Sequence, residues 1–161
     1  MGSEAKGSEK GWTLIIKRNH QMLFLVLVSI VVAFAWQGSR GLYETTEGRY
    51  SLCAREMADS GHWLEPTLLG QPHWTKPPMA YWLLAAGIKA CGHTTWGVRI
   101  PIAAAFVITV LALRALGEAL WDQRTGLLAG LLYATSPYPV MVANSVNTDT
   151  FICMWQVLAA L

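Results

Sequence analysis

Apolar residues in this chain are concentrated in long stretches that alternate with polar, charged segments. The apolar stretches lie at about residues 22–38, 98–120, 126–143 and 149–161. A helix needs about 20 mostly apolar residues to cross a bilayer, which the first three stretches approach and the last does not reach. The pattern predicts an all-α integral membrane protein with three transmembrane helices and an incomplete fourth, as in the N-terminal part of a longer polytopic protein.

The segment before the first stretch is polar. Residues 1–20 are rich in Gly, Ser, Glu and Lys near their start, which predicts a disordered tail. Lys17 and Arg18 place this tail in the cytoplasm, because basic residues flank transmembrane helices on that side. A cleavable signal peptide would show the same basic start and apolar run, but the further apolar stretches favour an uncleaved anchor.

A polar and aromatic loop over residues 39–97 separates the first two stretches. Apolar residues recur there at helical spacing, at Tyr50, Cys53, Ala54 and Met57. This spacing predicts an amphipathic helix over 47–60. Thr45 or Thr46 is expected to cap its start and Gly61 to end it in the left-handed conformation.

The rest of the loop contains turn residues and then a second helical segment. Pro66, Gly70 and Pro72 predict irregular backbone over 63–75. Two prolines then open a helix over 79–91, which is too short to span a bilayer and is expected to lie in the outer interface.

The short helix over 79–91 decides the topology. If it does not cross, the charged turn over 114–124 is cytoplasmic, and the connection over 144–149 lies outside with the large loop. If it does cross, these assignments swap. The turn carries Arg114 and Arg124 whereas the connection has no Lys or Arg, so the positive-inside rule favours the first choice.

Composition supports the membrane assignment. Hydrophobic residues make up 53% of the 161 residues, charged ones only 14%, and eight are Trp, which favours membrane interfaces. A net charge of +2 is too small to indicate nucleic-acid binding. The three cysteines are widely spaced, which predicts small buried side chains rather than a metal site or disulfide framework.

Several short motifs occur in a fixed order from residue 42 to residue 161. They are Glu-Gly-Arg-Tyr at 47–50, Arg-Glu-Met at 55–57, Ser-Gly-His-Trp-Leu-Glu-Pro at 60–66, Gly-Gln-Pro at 70–72, Lys-Pro-Pro-Met-Ala-Tyr-Trp at 76–82, TGLLAGLLYATSP at 125–137 and NTDT at 147–150. This ordered set resembles the aminoarabinose lipid A transferases, which belong with the protein O-mannosyltransferases among the C-type glycosyltransferases.

The resemblance implies a fold and an activity. It implies two juxtamembrane helices in a periplasmic loop, within a multi-pass protein of the bacterial inner membrane. It implies transfer of a sugar from a polyprenyl-phosphate donor to a lipid A-like, other lipid or protein acceptor on the extracytoplasmic face, without a cofactor.

The resemblance also implies site residues. Arg49 and Lys76 would bind the donor phosphate, with Tyr50 shaping the pocket, because cations offset the charge of a phosphate leaving group. Glu47 and Asp149 would be the catalytic carboxylates, one of which accepts the acceptor's proton. The alternatives are an ion pair of Arg49 with a neighbouring glutamate and a helix N-terminal role for Asp149.

Two positions depart from the family pattern. Thr46 stands where the family has a proposed catalytic Asp, and Glu44 is the nearest substitute. Thr75 stands where the aminoarabinose transferases carry a metal-binding Glu, so no metal is predicted. These changes fit either an active subfamily or a non-catalytic homologue that binds lipid phosphate or a partner, and the fragment alone is expected to be inactive.

Overall fold

The computed structural model describes residues 2–35, 37 and 41–161, with the side chains of residues 2–17 and of Glu44 outside that description. Within these residues the chain is mostly helical, as predicted. The elements are α1 (Gly2–Phe34), α2 (Glu44–Ser60), β1 (Thr67–Leu68), β2 (Gln71–Pro72), α3 (Pro78–Cys91), α4 (Thr95–Leu120), α5 (Gln123–Thr135), α6 (Pro137–Ala143) and α7 (Asp149–Ala160). Residues 36 and 38 of the predicted first span and residues 39–40 of the predicted loop lie outside the described residues.

Helix α1 begins at Gly2, whereas the composition predicts disorder over 1–20. Nucleation is the costly step of helix formation, and the apolar segment that follows supplies it. Each preceding residue then adds one backbone hydrogen bond to an existing helix. The polar tail therefore continues α1 in the structure.

Among the described residues, α4 is the one helix both long and apolar enough to cross a membrane by itself. α5 and α6 meet the same criterion only when taken together as one span bent by 62°. The apolar parts of α1, over Arg18–Phe34, and of α7 are shorter.

The apolar stretch over 126–143 is not one continuous helix in the structure, because it breaks at Ser136. This residue has φ −69° and ψ 136°, so α5 ends and α6 begins there. Pro137 follows it, and a proline ring disfavours helical backbone in the preceding residue. The Ser136 hydroxyl donates to the carbonyl oxygen of Leu132 at 2.5 Å, which satisfies one acceptor at the end of α5.

Helices α4 and α5 pack closely where two glycines meet. A Cβ placed on Gly117 would lie 2.8 Å from the Cα of Gly126. The turn between the helices is closed by Asp122, whose carboxylate accepts from the Thr125 amide at 2.7 Å and caps α5. This hydrogen bond, with that of the Thr125 hydroxyl, holds the pKa of Asp122 below its ordinary value.

Helices α2 and α3 form the predicted pair in the loop. Their facing residues form a buried cluster that includes Tyr50, Cys53, Ala54 and Met57 from α2 and Tyr81, Leu84, Ala85 and Ile88 from α3. The end of α2 is also confirmed, because Gly61 has φ 74° and its amide donates to the Met57 carbonyl at 3.1 Å. The predicted threonine cap is wrong: the N-cap residue is Tyr43, whose amide donates to Glu47 Oε2 at 2.9 Å.

The segment over 63–75, predicted to be irregular, contains a two-stranded antiparallel hairpin of β1 and β2. Its turn residues Leu69 and Gly70 have φ values of 54° and 73°. The carboxylate of Glu56 accepts from the amides of both residues, at 2.8 and 3.3 Å, and from the Thr67 hydroxyl at 2.5 Å. Burial raises the pKa of Glu56, but these hydrogen bonds outweigh it and leave the pKa below its ordinary value.

The cysteine prediction holds in part. Cys53 is buried, and burial raises the pKa of its thiol to about 11. Cys91 is exposed and Cys153 is half-buried, so these two are not the buried side chains that the sequence predicts.

Candidate functional site

Lys76 and Asp149 come together from distant parts of the chain. Lys76 lies between the hairpin and α3, and Asp149 is the first residue of α7. Lys76 Nζ lies 4.0 Å from Asp149 Oδ1, and the two side chains are 37% and 63% exposed. The structure thus places two of the sequence-predicted site residues in one accessible ion pair.

The start of α7 is well defined locally. Asn147 Oδ1 accepts from both the amide and the hydroxyl of Thr150, each at 2.9 Å. An amide oxygen at this position satisfies an otherwise unpaired donor of the first helical turn. Asp149 lies in that same turn, where the helix dipole favours a negative charge.

Glu47 lies inside the protein rather than at the Lys76–Asp149 pair. It is 2% exposed. Its Oε2 accepts from the Tyr43 amide at 2.9 Å, and its Oε1 accepts from the Val146 amide at 2.8 Å, across 99 residues of sequence. Glu47 therefore joins the start of α2 to the α6–α7 connection, three residues before Asp149.

Arg99, which the sequence reasoning missed, is the cationic partner of Glu47. Its side chain is 1% exposed, and Nη2 lies 3.8 Å from Glu47 Oε2. The guanidinium also donates to the carbonyl oxygens of Gln37 and Gly41. The available signal was a lone Arg at the start of an apolar stretch, since an ionisable residue beside the bilayer interior usually has a function.

Arg49 and Tyr50 are adjacent in sequence but differ in environment. Arg49 is exposed. Its possible partners on α2 are Glu47, which binds Arg99, and Glu56, which binds the hairpin turn. Among the described residues, no ion pair joins Arg49 to either glutamate. Arg49 is therefore accessible to a ligand.

Tyr50 is buried and packs edge-on against Tyr81, with ring centroids 6.0 Å apart. Burial raises the pKa of Tyr81, while the nearby Thr75 side chain and the charge of Arg49 oppose that rise. The Tyr50 ring thus supports the α2–α3 interface beneath Arg49.

The two positions that depart from the family pattern carry no ionisable group. Thr46 is exposed, and the Thr75 hydroxyl forms a 2.7 Å hydrogen bond with Nε2 of His73. Among the side chains that the structure describes, within residues 18–35, 37, 41–43 and 45–161, no three His, Cys, Asp or Glu lie close enough together to share a metal ion.

A groove of about 310 Å³ lies between α2, the end of α3 and the start of α4. Arg55 and His93 line it, and both contact Asp59, at 3.6 and 3.2 Å. Its lining does not include Lys76 or Asp149. The groove is therefore a separate surface, in which one carboxylate faces both basic groups.

Comparison with known proteins places these observations in a family context. The family described as dolichyl-phosphate-mannose-protein mannosyltransferase matches residues 75–161. An undecaprenyl phosphate-alpha-4-amino-4-deoxy-L-arabinose arabinosyl transferase of Pseudomonas savastanoi pv. phaseolicola is 32% identical over 81% of this chain and 25% of its own length. The same enzyme of Pseudomonas aeruginosa strain PAO1 is 33% identical over 73% of this chain and 22% of its own length.

Solved structures show the same fold. ArnT from Cupriavidus metallidurans bound to undecaprenyl phosphate matches with a TM-score of 0.78 and 24% identity, over 84% of this chain and 25% of that chain. Its apo structure matches with a TM-score of 0.77 and 23% identity, over 93% of this chain and 26% of that chain. The chain thus spans about a quarter of the length of the relatives it matches.

Proposed function

Because the chain belongs to the dolichyl-phosphate-mannose-protein mannosyltransferase family, we propose that it forms part of a membrane glycosyltransferase. In this proposal a sugar moves from a polyprenyl-phosphate donor to a lipid A-like, other lipid or protein acceptor on the extracytoplasmic face. The observation that carries the proposal is the ion pair of Lys76 and Asp149, which combines a cation for phosphate with a carboxylate for proton transfer.

The Lys76–Asp149 ion pair is weak enough for a ligand to replace Asp149 at Lys76. An exposed ion pair contributes only about 0–1 kcal/mol, because water screens both charges. A donor phosphate therefore displaces the Asp149 carboxylate from Lys76 at little cost. The ammonium group is a compact charge that binds the phosphate and offsets charge on the leaving group.

Asp149, released from Lys76, is the proposed proton acceptor. The acceptor oxygen attacks the anomeric carbon, the bond from that carbon to the donor phosphate oxygen breaks, and its electron pair leaves with polyprenyl phosphate. The proton of the acceptor hydroxyl passes to the carboxylate. Arg49 is the proposed second cation for the phosphate, with Tyr50 supporting it from the buried side.

The fold suggests how these groups meet the membrane. We propose that the apolar part of α1, α4 and the bent α5–α6 pair cross the bilayer of the bacterial inner membrane, with the N-terminus of the chain in the cytoplasm. Helices α2 and α3 then lie at the periplasmic interface. This arrangement puts Lys76, Arg49 and Asp149 within reach of the headgroup of a lipid-linked donor.

The proposal is tested first by ligand binding. The protein is reconstituted in nanodiscs and its affinity for undecaprenyl phosphate is measured for the wild type, Lys76→Ala and Asp149→Asn. Loss of the charge-assisted contact in Lys76→Ala should weaken binding by about tenfold or more. Lys89→Ala is the matched control, because Lys89 packs over the Trp63 ring, 5.4 Å from its centroid, at the other end of α3.

Transfer is then measured with undecaprenyl-phosphate aminoarabinose as donor and lipid A as acceptor. The assay uses the protein expressed from its complete gene. Asp149→Asn should retain donor binding and lose transfer. Unchanged binding by Lys76→Ala would overturn the phosphate assignment. Binding without transfer by the wild type would favour a non-catalytic homologue, which Thr46 and Thr75 also suggest.

A further inference from the structure

We infer that Arg99 and Glu47 act as positioning residues, forming a buried clamp that holds the α6–α7 connection and so sets Asp149 beside Lys76. The inference rests on the proposed function, in which Asp149 accepts a proton. It changes the sequence-based assignment of Glu47, which the resemblance makes a catalytic carboxylate. We refer to the two side chains as the Arg99–Glu47 clamp.

Arg99 gathers three segments of the chain at one guanidinium. Arg99 itself lies in the second turn of α4. It donates to the carbonyl oxygen of Gln37, just after α1, and to that of Gly41 before α2, the latter at 2.9 Å. Its Nη2 also lies 3.8 Å from the Glu47 carboxylate on α2.

Glu47 extends the clamp to the site. One of its carboxylate oxygens accepts from the Tyr43 amide at the start of α2, and the other accepts from the Val146 amide at 2.8 Å. A second link runs in parallel, since Gln37 Nε2 donates to the Ala143 carbonyl at 2.8 Å. The two links fix both the end of α6 and the connection that leads to Asp149.

The environment of Glu47 argues against proton transfer by this residue. Both of its oxygens accept hydrogen bonds from backbone amides, and its side chain is 3% exposed. A general base must come within hydrogen-bond reach of the proton that it removes. Asp149, with a side chain 63% exposed, satisfies that condition better.

The clamp also fixes a geometry that the Lys76–Asp149 ion pair by itself is too weak to hold. An exposed ion pair is too weak to hold two segments in register. A buried ion pair gives geometric specificity rather than net stability, because desolvation offsets much of its attraction, and loss of one partner leaves a buried charge uncompensated. The position of Asp149 is therefore set by the buried pair, while Lys76 and Asp149 remain free to bind ligands.

The clamp is tested with Arg99→Gln, Glu47→Gln and the double variant. Hydrogen exchange of the backbone amides over residues 144–149 reports the geometry without needing activity. Each single variant should raise this exchange by about tenfold or more, because a local opening becomes cheaper. The double variant should regain part of the protection, since no buried charge is left alone. If Arg99→Gln does not fold, Arg99→Lys replaces it as the test variant, because it keeps the positive charge beside Glu47.

The matched control removes another Arg–Glu pair on the same helix. Arg114 and Glu118 lie 3.4 Å apart near the other end of α4. The double variant Arg114→Gln, Glu118→Gln should leave exchange over 144–149 unchanged. Unchanged exchange in both clamp variants would overturn the inference.

Transfer kinetics separate positioning from catalysis. Misplacement of Asp149 should lower kcat by about 10- to 100-fold in each single variant, with little change in KM for undecaprenyl-phosphate aminoarabinose. The double variant should recover part of kcat with the pH profile of the wild type. If Glu47 is the base, the double variant is as inactive as Glu47→Gln, and the inference fails. If the wild type transfers no sugar, the proposed function fails, and hydrogen exchange alone decides whether the clamp exists.

Discussion

Replacing Gly87 by Ala tests the packing of α3 on α4, which positions the segment carrying Lys76. A Cβ on Gly87 would lie 2.2 Å from the carbonyl oxygen of Gly97 and 2.4 Å from Cγ of Pro101. Real Cβ contacts below 3.0 Å are essentially never seen. The helices must therefore separate by about 1 Å, because neither a backbone carbonyl nor a proline ring can rotate away.

The expected cost follows from two opposing effects. Overpacking at a site that cannot relax costs about 3 kcal/mol, the upper end of the usual range. Alanine is the better helix former by about 1 kcal/mol, which leaves a net loss of about 2 kcal/mol. In a chain of this size, such a loss lowers Tm by about 4–8 °C. The measurement is thermal unfolding in detergent, followed by circular dichroism.

Gly48→Ala in α2 is the matched control. Apart from the adjacent helix backbone, no atom lies within 4 Å of a Cβ placed there, so the same chemical change should raise stability by about 1 kcal/mol through helix propensity alone. A Gly87→Ala protein that melts at or above the wild-type temperature would refute the reasoning about the α3–α4 contact. Movement of α3 should also weaken undecaprenyl phosphate binding in Gly87→Ala but not in Gly48→Ala.

Three further changes test local features. Glu56→Ala should speed hydrogen exchange at Leu69 and Gly70, whose amides it binds, and unchanged exchange would contradict its role in the hairpin. The folded pKa of Glu56 lies below its ordinary value of 4.5, so its contribution is complete above about pH 5 and disappears as the pH falls through the folded pKa. Gly61→Ala should lower stability by about 1 kcal/mol because φ is 74°, and a Tm equal to wild type would count against that backbone conformation. Thr94→Ala removes the hydroxyl that caps α4 at the Gly97 amide and should also cost about 1 kcal/mol in thermal unfolding, and an unchanged Tm would contradict a stabilising role for this cap.

The sequence predicted elements that depend on local chemistry. The 47–60 and 79–91 helices were predicted from apolar spacing, glycine and proline, and the structure has α2 and α3 at nearly those positions. These signals are local, because they depend on which backbone conformations a residue and its neighbours allow. The bend at Ser136 was missed although Pro137 gives a local signal for it, since apolar content alone outweighed that signal.

The hairpin and the buried clamp were missed for a different reason. The turn at Leu69 and Gly70 is held by Glu56, whose position on the exposed side of a predicted helix gives no sign of that contact. Likewise Arg99 finds its acceptors at Gln37, Gly41 and Glu47 only after three segments have packed. Such contacts are not encoded by the neighbours of either residue.

The sequence by itself predicted the helical character of the chain, its family and the kinds of side chain available to the proposed site. Only the tertiary structure decided which of the predicted acids faces the surface: Asp149 meets Lys76 in an exposed ion pair, whereas Glu47 turns inward to Arg99 and Val146. Residue type and spacing are properties of a local segment. The side on which a carboxylate points depends on how distant helices pack, because burial of a charge is tolerated only where packing brings it a partner.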